Sequence, residues 1–183
     1  MVVLTLLFLV HFSASAQKKK IQFCSIYTGA LIAGEDKSSS AYQTVNGLRL
    51  SDWFAGIGIG IDNYHYQTLP LFIDVRKFFG KEKRAFIYGD LGYNFSMKNK
   101  PDKEIYYYAT YHFSGNIYAD VGIGFQFYLT KNSSLLFSFG NSYKKLQVKT
   151  EPANECTGAP CTVDYTAYKF SFNTMILKAG LVF

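Results

Sequence analysis

Five ionisable residues, Asp74, Arg76, Asp90, Asp120 and Lys178, stand inside stretches that otherwise alternate apolar and polar side chains. Each falls on the polar side of its own alternation. Asp74 and Arg76 oppose Leu71, Ile73 and Val75; Asp90 opposes Ile87, Leu91 and Tyr93; Asp120 opposes Val121, Ile123 and Phe125; Lys178 opposes Leu177, Ala179 and Leu181. Arg49 is a sixth candidate of the same kind. Charges gathered in a low-dielectric interior do one of two things. They line a path for ions or protons, or they pair, neutralise one another and fill the space as a plug. An interior bounded by eight strands is just wide enough to be filled by side chains, which favours the plug.

Other residues invite sharper chemistry and support it less well. His65 and His112 are the histidines beyond the N-terminal apolar run, and both read as loop residues. His112 and Ser114 share one side of a local alternation, but a nucleophile needs a base and the base an orienting group. No acid near them fills that third role, so no catalytic residue is assigned. The stretch "GIGIGID", with Gly56, Gly58 and Gly60, lacks the third glycine and the following helix of a dinucleotide-binding turn. It reads as isoleucines on one face and glycines on a crowded other face, and Gly122 and Gly124 repeat the arrangement. No cofactor site and no metal site is assigned. Cys156 and Cys161 lie in the polar stretch "NECTGAPCT", where Gly158 and Pro160 favour a turn. In an oxidising compartment they are expected to close a small disulfide loop. Cys24 is then left over, as a small buried hydrophobe. The aromatic run Ile105–Phe113 beside Lys98, Lys100 and Lys103 reads as the top of a strand at a membrane interface, with a contact surface for a glycan or protein as the alternative.

The elements that must position these residues are strands. Tyr, Phe and Gly number 15, 17 and 15 against 4 Pro, a composition that suits pleated surfaces. Alternating segments run over residues 21–33, 42–50, 54–61, 69–79, 85–95, 115–129, 134–148 and 165–183. Most are close to the ten residues a tilted strand needs to cross a bilayer. Links after the second, fourth and sixth segments are short ("SDW", "GKEKR", "KNS"), whereas those after the fifth and seventh are long. Short turns at one rim and longer loops at the other are the plan of an up-and-down membrane barrel with both termini at the short-turn rim. Strand pattern alone does not separate this from a soluble sandwich, whose polar face would meet water.

The N-terminus adds a location. "MVVLTLLFLVHFSASAQ" has an apolar run followed by Ala14 and Ala16 at the small positions of a secretory cleavage site. Residues 1–16 are expected to be a signal peptide and 17–183 the mature barrel domain. No later apolar stretch reaches the length of a transmembrane helix, so crossing a membrane would require a closed barrel. The net charge of +6 suits a leaflet rich in phosphate. The lysines are spread over turns and loops rather than in a stripe, which argues against nucleic acid.

The last residues, "NTMILKAGLVF", alternate up to a terminal Phe183. Together with "WFAGIGIGIDNYHYQTLPLFIDVRKFFGKEKRAFIYGDLGYNF", this ending resembles the small porin-like, eight-stranded outer-membrane β-barrel proteins of Gram-negative bacteria. The resemblance implies an all-β, antiparallel transmembrane barrel with periplasmic termini. It also implies that Phe183 serves as the assembly signal read by the barrel-assembly machinery. Outer-membrane lipid and lipopolysaccharide are the expected surroundings, and any extracellular ligand stays unnamed. The expected role is non-enzymatic, structural or surface-interacting. A narrow porin and, further off, a lipid-modifying enzyme are the alternatives.

Overall fold

Alternation on both sides of a strand is satisfied when one face meets lipid or core and the other a filled interior, and the chain adopts that solution in its computed structural model. Residues 21–35, 37–97, 109–152 and 166–183 are described. They form β1 (Ile21–Ala33), β2 (Ser38–Leu50), β3 (Trp53–Asp62), β4 (Thr68–Phe79), β5 (Ala85–Ser96), β6 (Ala109–Tyr128), β7 (Ser134–Pro152) and β8 (Thr166–Val182). Every strand pairs antiparallel with its sequence neighbour, and β8 returns to β1, closing the barrel. Phe183 extends that seam: its N–H donates to the Ser25 carbonyl at 2.9 Å, and its own carbonyl accepts from Ser25 N–H at 3.0 Å.

The two faces separate as the alternation requires. Ile57, Ile73, Leu91 and Ile123 lie outside, each at least 60% exposed, while Phe54, Phe72, Phe86 and Tyr118 are buried inside. A soluble sandwich would place the branched aliphatics in its core. Here they form the outer wall, the inversion expected of a barrel in lipid. The ambiguity left by strand pattern is thereby resolved by closure and by which face is buried.

Inward glycines make room for large rings. A Cβ on Gly58 would overlap the Phe72 ring, and one on Gly124 would overlap Phe86. The "GIGIGID" glycines therefore serve packing. The wall carries a shallow groove of about 620 Å³ between Tyr27, Tyr42, Ile59, Ile61 and Leu69. It opens outward, and Thr28 and Gln43 also line it.

Several strands exceed their predicted bounds. β2 begins at Ser38 rather than Tyr42, β6 at Ala109 rather than Gly115, and β7 ends at Pro152 rather than Val148. His112 and Ser114 consequently lie in β6, not in a loop. A register shift between Gly115 and Tyr118 places one extra residue on β6. Such a bulge reverses which parity faces inward: Phe113 and Gly115 pair with the buried Val148 and Leu146, whereas beyond the bulge Tyr118 and Asp120 face inward.

The rim at the long links is uneven. Pairing of β5 with β6 stops at Asn94↔Asn116, and pairing of β1 with β8 stops at Ala33↔Met175. Above those points β6, β7 and β8 continue together as a three-stranded ladder reaching Ala109↔Pro152 and Thr150↔Thr166.

Candidate functional site

The barrel interior is filled in three storeys. At the short-turn rim sit Cys24, Ile26, Val45, Phe54, Phe78 and Phe86, all buried. The Arg49 guanidinium lies over the Phe78 ring at 4.0 Å.

The middle storey is built by register. Asp74 pairs with Asp90 across β4 and β5, and Asp90 with Asp120 across β5 and β6. Three aspartates thus occupy consecutive positions in one interior row. Like charges directly opposite one another are destabilising, so cations must intervene. Arg76 supplies the first from two residues along the same strand. Its Nε donates to Oδ1 and Oδ2 of Asp74 at 2.9 and 3.0 Å, and its Nη2 donates to Oδ2 at 2.6 Å. Phe54, Phe86 and Tyr88 surround the guanidinium with ring centroids at 5.7, 5.5 and 5.9 Å. Rings within about 6 Å of a cation attract it through their quadrupoles. Lys178 supplies the second cation from β8 on the far wall. Its Nζ reaches Asp120 Oδ2 at 2.7 Å and Asp90 Oδ2 at 3.1 Å, over the Tyr88 ring at 4.6 Å.

Asp120 is the hub of this storey. It also accepts from the hydroxyls of Tyr88 at 2.9 Å and Tyr118 at 3.3 Å, and Gln43 donates to the Tyr118 oxygen at 2.9 Å. Asp90 is the least supported member, since its Oδ1 accepts no hydrogen bond from a described residue. The five charges are nearly absent from the accessible surface, none exceeding 3% exposure. Buried charges persist when paired and hydrogen-bonded, as here.

The upper storey was not foreseen. Asp62, at the end of β3, pairs with Lys144 of β7 at 3.0 Å. Lys144 also donates to the Tyr64 carbonyl at 2.8 Å, and Tyr64 N–H donates to Asp62 Oδ1 at 2.7 Å. These bonds pull the β3–β4 link over the lumen. Tyr64 is 3% exposed, and His65 stacks on Phe172 at 5.0 Å. Tyr66 reaches Phe113 and Phe170 at 5.4 and 6.4 Å. Both charged residues continue rows already legible in the sequence: Asp62 follows Gly56, Gly58 and Gly60, and Lys144 follows Ser138, Gly140 and Ser142.

The remaining sequence candidates fall elsewhere. His65 belongs to the cap, with φ of 55°. His112 and Ser114 lie on the β6 backbone, paired with Lys149 and Gln147 of β7. Among the described residues no three His, Cys, Asp or Glu side chains converge to hold a metal. Cys24 is a buried free thiol. Cys156 and Cys161 lie outside the described residues, as does the N-terminal apolar run.

At the short-turn rim one carboxylate gathers two lysines. Asp52 binds Lys83 at 2.7 Å and Lys77 at 3.6 Å. The hydrogen bonds from Lys83 and Ser51 hold its carboxyl down at about 2.

No family model matches the chain, and no curated protein matches it. Solved structures do. The outer membrane protein AlkL, determined by solid-state NMR in DMPC bilayers, is 10% identical with a TM-score of 0.54, covering 93% of both chains. OprG from Pseudomonas aeruginosa is 11% identical with a TM-score of 0.55, covering 87% of this chain and 94% of its own. Neisserial surface protein A is 13% identical with a TM-score of 0.52, covering 88% and 95%. At these identities the likeness is one of fold: a closed, eight-stranded antiparallel barrel of the outer-membrane type.

Proposed function

We propose that the protein is a non-enzymatic outer-membrane β-barrel with a structural or surface-interaction role, its short-turn rim and both termini in the periplasm. The observation that carries this reading is the filled interior. Aromatic packing, the Asp74–Arg76 and Asp120–Lys178–Asp90 pairs, and the Asp62–Lys144 clasp under Tyr64 occupy successive heights of the lumen. A solute path would have to separate desolvated ion pairs at two levels, each costly to break. The outer wall of branched aliphatics and aromatics supports residence in lipid. The β6–β8 ladder supports a surface role, since it carries side chains beyond the barrel rim.

The test is conductance of the purified chain in planar bilayers. The expected result is the absence of steady open steps. Stepwise conductance that persists in the wild-type barrel would replace this reading with that of a narrow porin. Recovery of the chain as a soluble periplasmic protein would remove the membrane assignment altogether.

A further inference from the structure

The ladder that rises above the barrel has two unlike faces. Inward lie Phe113, Leu146, Val148, Phe170 and Phe172, following the pairs Phe113↔Val148, Leu146↔Phe170 and Lys144↔Phe172. Outward lie Lys145, Gln147 and Lys149 of β7, in register with Ser171, Lys169 and Ala167 of β8. Lys145, Lys149 and Lys169 are all exposed. Lys169 faces Gln147, so it stands diagonal to both other lysines, at a spacing of about 7–8 Å for such neighbours. Three like charges this close repel one another, and a multivalent anion seated among them would relieve that repulsion.

The described protein does not supply one. No ion pair links Lys145, Lys149 or Lys169 to an acid among the described residues, and their register partners Ser171, Gln147, Ala167, Ser114 and His112 carry no carboxylate. At the opposite rim Lys77 and Lys83 share Asp52, and Arg84 has Glu82 at 2.6 Å, while the exposed Lys81 and Lys131 lie in separate turns and form no cluster.

Height selects the partner. The outward row of β8 is apolar from Phe183 to Met175, and on β6 and β7 the outward hydrophobics continue to Ile117, 40% exposed, and Tyr143. Each residue of a tilted strand adds roughly 2.6 Å of height. Counted from Tyr143, Lys145 starts about 5 Å above the apolar wall, Lys169 about 10 Å and Lys149 about 16 Å by the same conversion. A phospholipid headgroup layer extends only about 5–8 Å beyond the hydrocarbon. The lowest lysine stands within that layer, and the upper two stand beyond it.

We propose that the outward face of β7 and β8 at Lys145, Lys149 and Lys169 binds the phosphorylated headgroup of an outer-leaflet glycolipid, lipopolysaccharide, with phosphates at more than one height. The inference rests on the outer-membrane reading and assigns it a binding site. A small anionic phospholipid meets Lys145 alone; a tall phosphorylated saccharide meets all three.

The full chain, folded in zwitterionic detergent, is titrated with rough-type lipopolysaccharide, with the same material chemically dephosphorylated, and with phosphatidylglycerol. The wild type is expected to bind the phosphorylated form best. The variant Lys145→Gln/Lys149→Gln/Lys169→Gln should bind it weaker by on the order of a hundredfold, from the surface contribution of three lysines. The control variant Lys81→Gln/Lys131→Gln, at the opposite rim, should bind as wild type. Equal binding of dephosphorylated material, equal binding of phosphatidylglycerol, or wild-type affinity in the triple variant each overturns the proposal. Heat-modifiable mobility and fractionation of the wild type are read in parallel. A chain that fractionates with outer membrane yet fails the titration loses this site alone, whereas a chain absent from that fraction loses both readings.

Discussion

Replacing Lys178 by Met keeps the volume of the side chain and removes its charge, so the change tests electrostatics rather than packing. Lys178 is 2% exposed and is the cation that Asp90 and Asp120 share. Without it, three aspartates in adjacent registered positions face one arginine already committed to Asp74. Removing one partner of a buried pair costs about 3–5 kcal/mol, a large share of the roughly 5–15 kcal/mol that holds most domains folded. Asp90→Asn should behave differently. It removes the least supported carboxylate while Lys178 keeps Asp120 at 2.7 Å, so little stability should be lost. Asp120→Asn should be the more damaging of the two, because Asp120 also anchors Tyr88 and Tyr118. Guanidinium unfolding in lipid vesicles can be followed through Trp53, the chain's single tryptophan, which is 53% exposed on the outer wall. The Lys178→Met/Asp120→Asn double variant should lose less than the sum of its parts, with a coupling of about 1–3 kcal/mol. A Lys178→Met barrel with the wild-type midpoint, or equal losses for Asp90→Asn and Asp120→Asn, would falsify the account of the interior row.

Three further perturbations probe the wall, the seam and the turns. Phe183→Asp should impair membrane assembly far more than it alters the loops, because Phe183 closes the β1–β8 seam and packs edge-on to Tyr27 at 6.2 Å; normal insertion in a fractionation assay would count against this. Leu91→Arg puts a charge on a lipid-facing position that is 60% exposed, at a cost of about 2–4 kcal/mol near the midplane. Asn94→Arg, on the opposite face of the same strand, should also destabilise, because Asn94 has no exposed surface and the lumen has no room for the longer side chain; a tolerated Asn94→Arg in the same unfolding assay would mean the lumen is wider than described. Asp52 should titrate by NMR near its depressed value of about 2 rather than its ordinary 3.8. A carboxyl lowered on folding stabilises above its unfolded value and loses that contribution as pH falls through about 2, so the Asp52–Lys83 contact should survive at pH 4; a midpoint near 3.8 would dissolve it.

How much of this was legible follows from what each feature depends on. The eight strands were readable because every second residue meets lipid and the alternating apolar pattern is local; Ile57, Ile59 and Ile61 disclose their face without any partner. The interior location of Asp74, Asp90, Asp120, Arg76 and Lys178 was readable for the same reason. Their pairing was not. Asp90 and Lys178 are 88 residues apart and meet because strand tilt and the β1–β8 register bring β8 across from β5, and no single strand carries that stagger. The upper clasp failed differently. Asp62 ends a glycine row and passes for the start of a loop, and Lys144 stands beside Lys145 in a doublet whose roles parity alone divides: one buried against Asp62, the other outward and exposed. The predicted start of β6 failed at the bulge. Across Asn116 and Ile117 the phase of the alternation reverses, so a period-two reading carried upward from Asp120 runs out at Gly115, and His112 and Ser114 pass for loop. The residues that set apart this barrel from a bare membrane scaffold, the clasp below and the basic ladder above, thus lie where the two-residue period is interrupted or where its meaning rests on a neighbour far along the chain.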